Sequence, residues 1–411
     1  MLVSSLMGGS FALPLFLSLI LAALLGCCVG IITGLTPGVH INLVAALITG
    51  YAVYLLNYVS GLFLGCFIIA MSITHTFLDT LPSIFLGAPD DKTALGVLPG
   101  HRYLLKGFGL MAVKLSVIGA FFGLLLSILL FPILFYALQF GYPFIKQYML
   151  YILLCVVLFM IGRDKKKPWA IFIFLLSGVF GVVVFALPLE DPLFPLLSGM
   201  FGLATLIVSL NESQAIPAQQ ELQVIELDKK KTIIAVILGT LSSFLTSTLP
   251  GLSASIAATM SLQAYKKLGD HGFLILTGAI GTAGFSLSLV ALLAIQKARN
   301  GSVAAISSLI NVSSPEIYAF LAVSLIAGGI SVFLALFFGK HFSRLINMIS
   351  YRKLIISIMI FVILLGYFLT GCLGLLVLMT STAIGLLPAL VKTTRTQAMG
   401  CLLLPVILYF I

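Results

Sequence analysis

The sequence predicts an all-α polytopic membrane protein of about 10–12 membrane segments, built as two inverted repeats with broken or re-entrant helices. Three observations lead there. Hydrophobic residues make up 61% of the 411 and charged residues only 8%, against about 25% charged in a soluble domain. Charge-free stretches such as Leu13–Ile32, Ile171–Leu187, Ala319–Phe338 and Leu354–Leu369 approach or reach the roughly 20 residues that a helix needs to cross a bilayer. Two Pro-Gly pairs, Pro37-Gly38 and Pro250-Gly251, interrupt apolar runs near the start of each half. A transmembrane barrel is excluded, because its strands read as short alternating segments rather than long uniform ones.

The first element is the apolar run from Phe11. It has no positively charged n-region and continues to Gly34, so it reads as a retained membrane helix rather than a cleaved signal peptide. The first Pro-Gly break follows, and after it a segment carrying His75 and Asp79. The long polar stretch Asn211–Lys231 falls near the midpoint. It divides the chain into an N-terminal transmembrane repeat (1–210), a polar linker (211–231) and a C-terminal transmembrane repeat (232–411). Aligned on the two prolines, the halves match at Gly26/Gly239 and Thr33/Thr246, with small or polar residues at His40/Ser253 and Asn42/Ser255.

Basic residues gather in Arg163–Lys167, Lys229–Lys231, Lys266-Lys267, Lys340–Lys353 and Lys392–Arg395, while the Glu190-Asp191 turn is acidic. By the positive-inside rule the basic loops face the cytoplasm. Lys231 and Lys267 then share a side, so 232–265 enters and returns with Pro250-Gly251 near its tip. Arms of roughly 15 to 18 residues, about 25 Å at the helical rise, fit either a re-entrant hairpin or two short crossing helices. An inverted N-terminal half would bring its Pro37 hairpin in from outside. The net charge of +10 is that cytoplasmic excess, which also attracts anionic lipid headgroups; no nucleic-acid motif accompanies it. The six cysteines all lie in apolar runs without metal-ligand spacing, and read as small hydrophobes.

Paired interruptions in corresponding positions of two halves point to a transporter binding site. Proline ends the incoming helix, and glycine permits the unusual backbone that follows. The outgoing helix then starts inside the membrane with unpaired N–H groups and the positive end of its dipole exposed, which suits a carboxylate or phosphate. The expected substrate-binding residues are Thr36, Pro37, Gly38, His40 and Asn42 in the first break, and Thr248, Pro250, Gly251, Ser253 and Ser255 in the second. Ser286 is expected to line the path. A packing kink is the plainer alternative for either break taken alone.

Asp79 stands in an apolar stretch, and a membrane-embedded ionisable residue is a functional candidate by default. His75 lies four residues before it, on the same helix face. The pair is assigned to coupling, by proton or Na+ binding; the structural alternative is that Asp79 caps a short helix beginning near Thr80. No cofactor and no metal site are expected.

These residues resemble the large membrane subunit of the tripartite tricarboxylate transporters, the TctA-like permeases. The likeness rests on Gly34-Leu-Thr-Pro-Gly38, Leu249-Pro-Gly-Leu-Ser253, Leu81-Pro followed by Gly87-Ala-Pro89 and Gly100…Lys106-Gly107, and Phe194–Leu203. Gly385-Leu-Leu-Pro388 and Arg395–Met399 place it nearer a shorter, archaeal-type branch. The resemblance implies cation-coupled import of a citrate-like carboxylate across the cell (plasma) membrane by alternating access. It also implies a small membrane subunit and an extracellular binding protein as partners, and it is compatible with an oligomer. Val39-His40 and Leu252-Ser253 replace the family's fuller Pro-Gly-x-Gly pattern, so the likeness does not extend to citrate itself. The breaks also resemble those of membrane proteins that return polyprenyl phosphate across the bilayer, which keeps a lipid-carrier translocase as the alternative. An intramembrane protease lacks its second carboxylate or its Gly-x-Ser-x-Gly context, and no nucleotide-binding loop occurs.

Overall fold

The computed structural model describes residues 15–36, 41–85, 97–189, 192–211, 217, 219–220, 227–249, 254–298, 300–345 and 351–411, and no strand occurs among them. The first half runs α1 (Leu15–Leu35), α2 (Ile41–Gly50), α3 (Ala52–Leu55), α4 (Gly61–Leu78), α5 (Thr80–Phe85), α6 (Val97–Leu105) and α7 (Gly109–Leu129). It continues through α8 (Phe131–Gln147), α9 (Met149–Arg163), α10 (Lys167–Ala186), α11 (Leu193–Leu197) and α12 (Ala204–Asn211). The second half holds α13 (Lys229–Thr248), α14 (Ala254–Ala264), α15 (Gly269–Ile295), α16 (Gly301–Leu309), α17 (Ser314–Leu345), α18 (Tyr351–Val391) and α19 (Gly400–Tyr409).

Among the described residues, eight helices are long and apolar enough to cross a membrane, or nine with the α8–α9 pair, which bends by 79°. That number counts α18 as one span, and the expected ten to twelve segments are approached once it is divided. At 41 residues, α18 would be about 60 Å long, roughly twice the hydrocarbon thickness. It breaks at Gly371, whose φ of 64° lies in the left-handed region that glycine alone enters freely, so it supplies two spans. The apolar helices Leu193–Val208 and Arg395–Tyr409 are too short to cross alone.

Contact registers give the direction of each helix. On α1, Gly26 packs on Phe67 and Ala70, Gly30 on Met71 and Thr74, and Gly34 on His75 and Leu78. Both series rise together, so α1 and α4 are parallel, and the chain between them returns to the side where α1 began. The second half repeats this with different chemistry. Gly239 packs on Leu276 and Ala279, the Ser243 hydroxyl donates to the Ile280 carbonyl (2.9 Å), and the Ser247 hydroxyl to the Gly284 carbonyl (3.2 Å). Helices α13 and α15 are therefore parallel as well. Each half opens with a hairpin of unequal arms, 21 and 10 residues in the first and 20 and 11 in the second. The near-equal arms expected from sequence are replaced by one full-length and one half-length helix. Small residues every fourth position let the long arm lie flush on its neighbour.

The two halves interlock. Gly65 meets Phe320, Leu81 meets Gly339, and the Ser331 hydroxyl donates to Thr74 Oγ1 (3.0 Å), so α4 and α17 are parallel. Gly119 meets Ile275, Gly123 meets Ala279, and Ser127 and Ser286 share a hydrogen bond of 2.5 Å, so α7 and α15 are parallel. Gly328 against Leu124 and Gly339 against Val113 make α17 antiparallel to α7. Thus α1, α4 and α17 run one way, and α7, α13 and α15 the other. The equivalent helices of the two halves point in opposite directions, and each hairpin enters from the side opposite its counterpart. Arg102, Lys106, Lys229–Lys231, Lys267, Lys340 and Arg344 collect at one end of this bundle, where Arg102 and Asp270 form an ion pair (3.2 Å).

Candidate permeation site

Antiparallel α4 and α15 meet where Thr76 Oγ1, in the last turn of α4, and Thr282 Oγ1, at the middle of α15, lie 3.3 Å apart, both buried. Beside this crossing is a cleft of about 20 Å³, room for roughly one or two waters. Thr76, Asp79, Thr80 and Ser83 line it from α4 and α5, Ser116 from α7, and Thr277, Gly278 and Gly281 from α15. One carboxylate and five hydroxyls converge there. Thr76, Thr80 and Thr277 also donate to the carbonyls of Ile73 (2.8 Å), Phe77 (2.8 Å) and Leu274 (3.0 Å) on their own helices.

Asp79 is buried at the end of α4 with helical backbone (φ −61°, ψ −20°). Its N–H donates to the His75 carbonyl (2.8 Å), and its own carbonyl accepts from Ser83 (3.2 Å). A capping residue would have extended backbone, so Asp79 continues a single 25-residue span, Gly61–Phe85, rather than starting a new helix. His75, one turn earlier, is buried where Gly34 of the first hairpin packs.

The expected anion-site residues fall into two groups. Thr36 is half-buried at the end of α1, with its N–H on the Ile32 carbonyl (3.1 Å). Thr248 is buried at the end of α13, its hydroxyl held by the carbonyls of Phe244 (2.9 Å) and Leu245 (3.1 Å). Asn42 and Ser255 stand in the first turns of α2 and α14. Pro37, Gly38, His40, Pro250, Gly251 and Ser253 lie outside the described residues. The ends of the long arms are nevertheless placed: Gly34 packs against His75 and Leu78, and Ser247 against Gly284. Each long arm thus ends about one helical turn, or roughly 5 Å, from the Thr76–Thr282 crossing, and the two do so on opposite sides in depth. Ser286, fully buried, spends its hydroxyl on Ser127 and on the Ala283 carbonyl (3.0 Å). Neither Ser286 nor Thr248 borders the Asp79 cleft. Among the described residues, no group of three His, Cys, Asp or Glu side chains gathers as a metal ion would require.

The family model described as "Tripartite tricarboxylate transporter TctA family" matches residues 20–400. The chain belongs to the TctA family. It is also 30% identical over 393 residues to the "Uncharacterized protein MJ1079" of Methanocaldococcus jannaschii, across 92% of this chain and 95% of that one. No solved structure matches it. As a TctA family member it is a multi-pass component of a tricarboxylate transporter.

The remaining motifs of this TctA protein build a second packing centre. Phe194–Leu203 forms α11 and a π-helical turn, Ser198–Leu203. Gly199 sits against Leu378 and Ser381 of α18, Gly385 sits against Met200, and the Ser381 hydroxyl donates to the Pro195 carbonyl (3.0 Å). Arg395 donates to Thr205 Oγ1 of α12 (2.6 Å). Asp164, between α9 and α10, accepts from the N–H and hydroxyl of Thr394 (2.9 and 2.8 Å) and from the Lys166 N–H (3.0 Å). Gly385, Thr394 and Arg395 therefore tie the last helices to the first half, and none of them lines the Asp79 cleft.

Proposed function

We propose that this TctA protein is the permease that carries an anionic solute, a carboxylate, across the cell membrane by alternating access coupled to H+ or Na+. The observation that carries the reading is the pair of oppositely directed hairpins whose long arms end within about a turn of the α4–α15 crossing. The short arms α2 and α14 then begin within the membrane, and their first N–H groups and dipole ends supply the attraction for an anion. Thr36, His40 and Asn42, with Thr248, Ser253 and Ser255, supply side-chain donors at those two starts. Asp79, in its hydroxyl-lined cleft, holds the coupling proton or cation, and His75 lies one turn away in the same buried span. A small membrane subunit and an extracellular binding protein complete the transporter.

A thermal-shift screen of the purified chain tests this, using di- and tricarboxylates and short-chain polyprenyl phosphates, with and without sodium, at two pH values. A ligand that binds only the folded state must raise its stability. Stabilisation by carboxylates supports the reading. Stabilisation by polyprenyl phosphate alone replaces it with a lipid-carrier translocase.

A further inference from the structure

Helices α7 and α13 come together on one residue. Gly123 and Gly239 both press on Ala279 of α15, each so close that a Cβ there would lie within 3 Å of it. Away from that point the two helices carry bulky side chains. Between them lies a cleft of about 400 Å³, lined by Phe122, Leu125, Leu126 and Leu129 of α7 and by Thr232, Ile233, Val236 and Ile237 of α13. Phe122, Leu129, Ile233 and Ile237 are exposed, so the cleft opens outward to the bilayer. Its walls give water almost no polar partners, and such a space stays dry unless apolar matter fills it.

The α13 wall begins directly after three lysines. Lys231 is paired with Asp228 (3.4 Å), whose carboxylate also caps the helix by accepting from the Lys231 N–H (3.2 Å). Lys229 and Lys230, about one helical turn before the wall residue Ile233, are exposed. They belong to the basic end of the bundle.

We propose that the α7–α13 cleft with Lys229 and Lys230 is a binding site for an anionic phospholipid, its acyl chain in the cleft and its phosphate on the lysines. The occupant follows from joining an apolar slot to a net positive rim. A zwitterionic lipid fills the slot and gains nothing from the rim, whereas a soluble phosphate meets the rim and leaves the slot empty. Because α13 is the long arm of the second hairpin, the bound chain lies against the arm whose end approaches the α4–α15 crossing.

The test measures the melting midpoint of the detergent-purified full chain with dioleoyl phosphatidylglycerol, dioleoyl phosphatidylcholine or glycerol phosphate. Phosphatidylglycerol is expected to stabilise more than phosphatidylcholine, with an advantage that shrinks as salt screens the lysines. Each lysine contributes roughly fivefold in affinity at an anionic lipid surface, so Lys229→Gln/Lys230→Gln should weaken phosphatidylglycerol about 25-fold, to the level of phosphatidylcholine. Ile233→Trp, on an exposed wall, should block both lipids. Arg352→Gln/Lys353→Gln, also exposed, removes equal charge elsewhere and should leave the preference intact. Equal stabilisation by the two lipids in the unmodified chain overturns the proposal. So does loss of the preference in the Arg352/Lys353 control, or stabilisation by glycerol phosphate matching that of the lipid.

Discussion

Thr76 and Thr282 share a buried hydrogen bond of 3.3 Å at the crossing of the two central, oppositely directed helices. It joins the halves between the ends of the hairpins' long arms. If solute passage requires the halves to move against each other, a tie at this point must stop it. With the six native cysteines replaced, the Thr76→Cys/Thr282→Cys pair bridged by a short thiol cross-linker should lose carboxylate uptake and regain it on reduction. Each single variant should keep transporting. Full uptake by the bridged protein would show that the crossing stays fixed during transport.

Asp79→Asn keeps the shape of the side chain and removes its charge. The variant should fold and insert, since Asp79 sits in continuous helical backbone, yet uptake in vesicles should no longer respond to an imposed pH or sodium gradient. An unchanged response would remove Asp79 from coupling. Sodium-dependent thermal stabilisation in the unmodified chain, lost in Asp79→Asn, would identify the ion.

Much of this arrangement was legible in the chain because its signals are local. Pro37-Gly38 and Pro250-Gly251 break apolar runs, and Asp79 is a carboxylate where few occur. The expectation that Lys231 and Lys267 share a side agrees with the parallel packing of α13 on α15. The rest of the cleft was not legible. Thr76, Thr80 and Thr277 are hydroxyls that satisfy themselves on their own helices, as membrane threonines commonly do. The spacing of Thr76, Asp79, Thr80 and Ser83, at i, i+3, i+4 and i+7, marks one polar face, but only the fold brings Ser116 and Thr277 to it. Ser286 illustrates the converse: a polar residue in an apolar run whose hydroxyl is taken up by Ser127.

The glycines separate packing from permeation. A Cβ at Gly119 would press into the Ile275 carbonyl oxygen, and one at Gly278 into that of Ser116. Neither backbone can yield without parting α7 from α15. Gly119→Ala and Gly278→Ala should each destabilise by at least the ~1–3 kcal/mol of an overpacked core. At Gly281 a Cβ meets nothing within 4 Å, although the residue lines the Asp79 cleft. Gly281→Ala and Gly281→Val should therefore melt near the unmodified protein while narrowing the cleft and slowing uptake. Comparable melting losses at all three positions would contradict the contact geometry.

Asp164 gives the fold a pH dependence that can be read without a substrate. Burial pushes its carboxyl up, but the bonds from Thr394, Lys166 and Gln397 outweigh this and hold it below the ordinary carboxylate value. A carboxyl depressed in the folded state adds stability that is fully present above its unfolded pKa of about 3.9 and is lost as pH falls through the lower folded value. The melting midpoint of the unmodified chain should therefore drop below about pH 4. Asp164→Asn should start lower at neutral pH, because the Thr394 N–H loses its ionic acceptor, and should show a shallower acid limb. If the two proteins lose stability in parallel between pH 6 and pH 3, Asp164 does not carry the acid sensitivity of the α9–α10 turn, and its bonds to Thr394 serve register rather than charge.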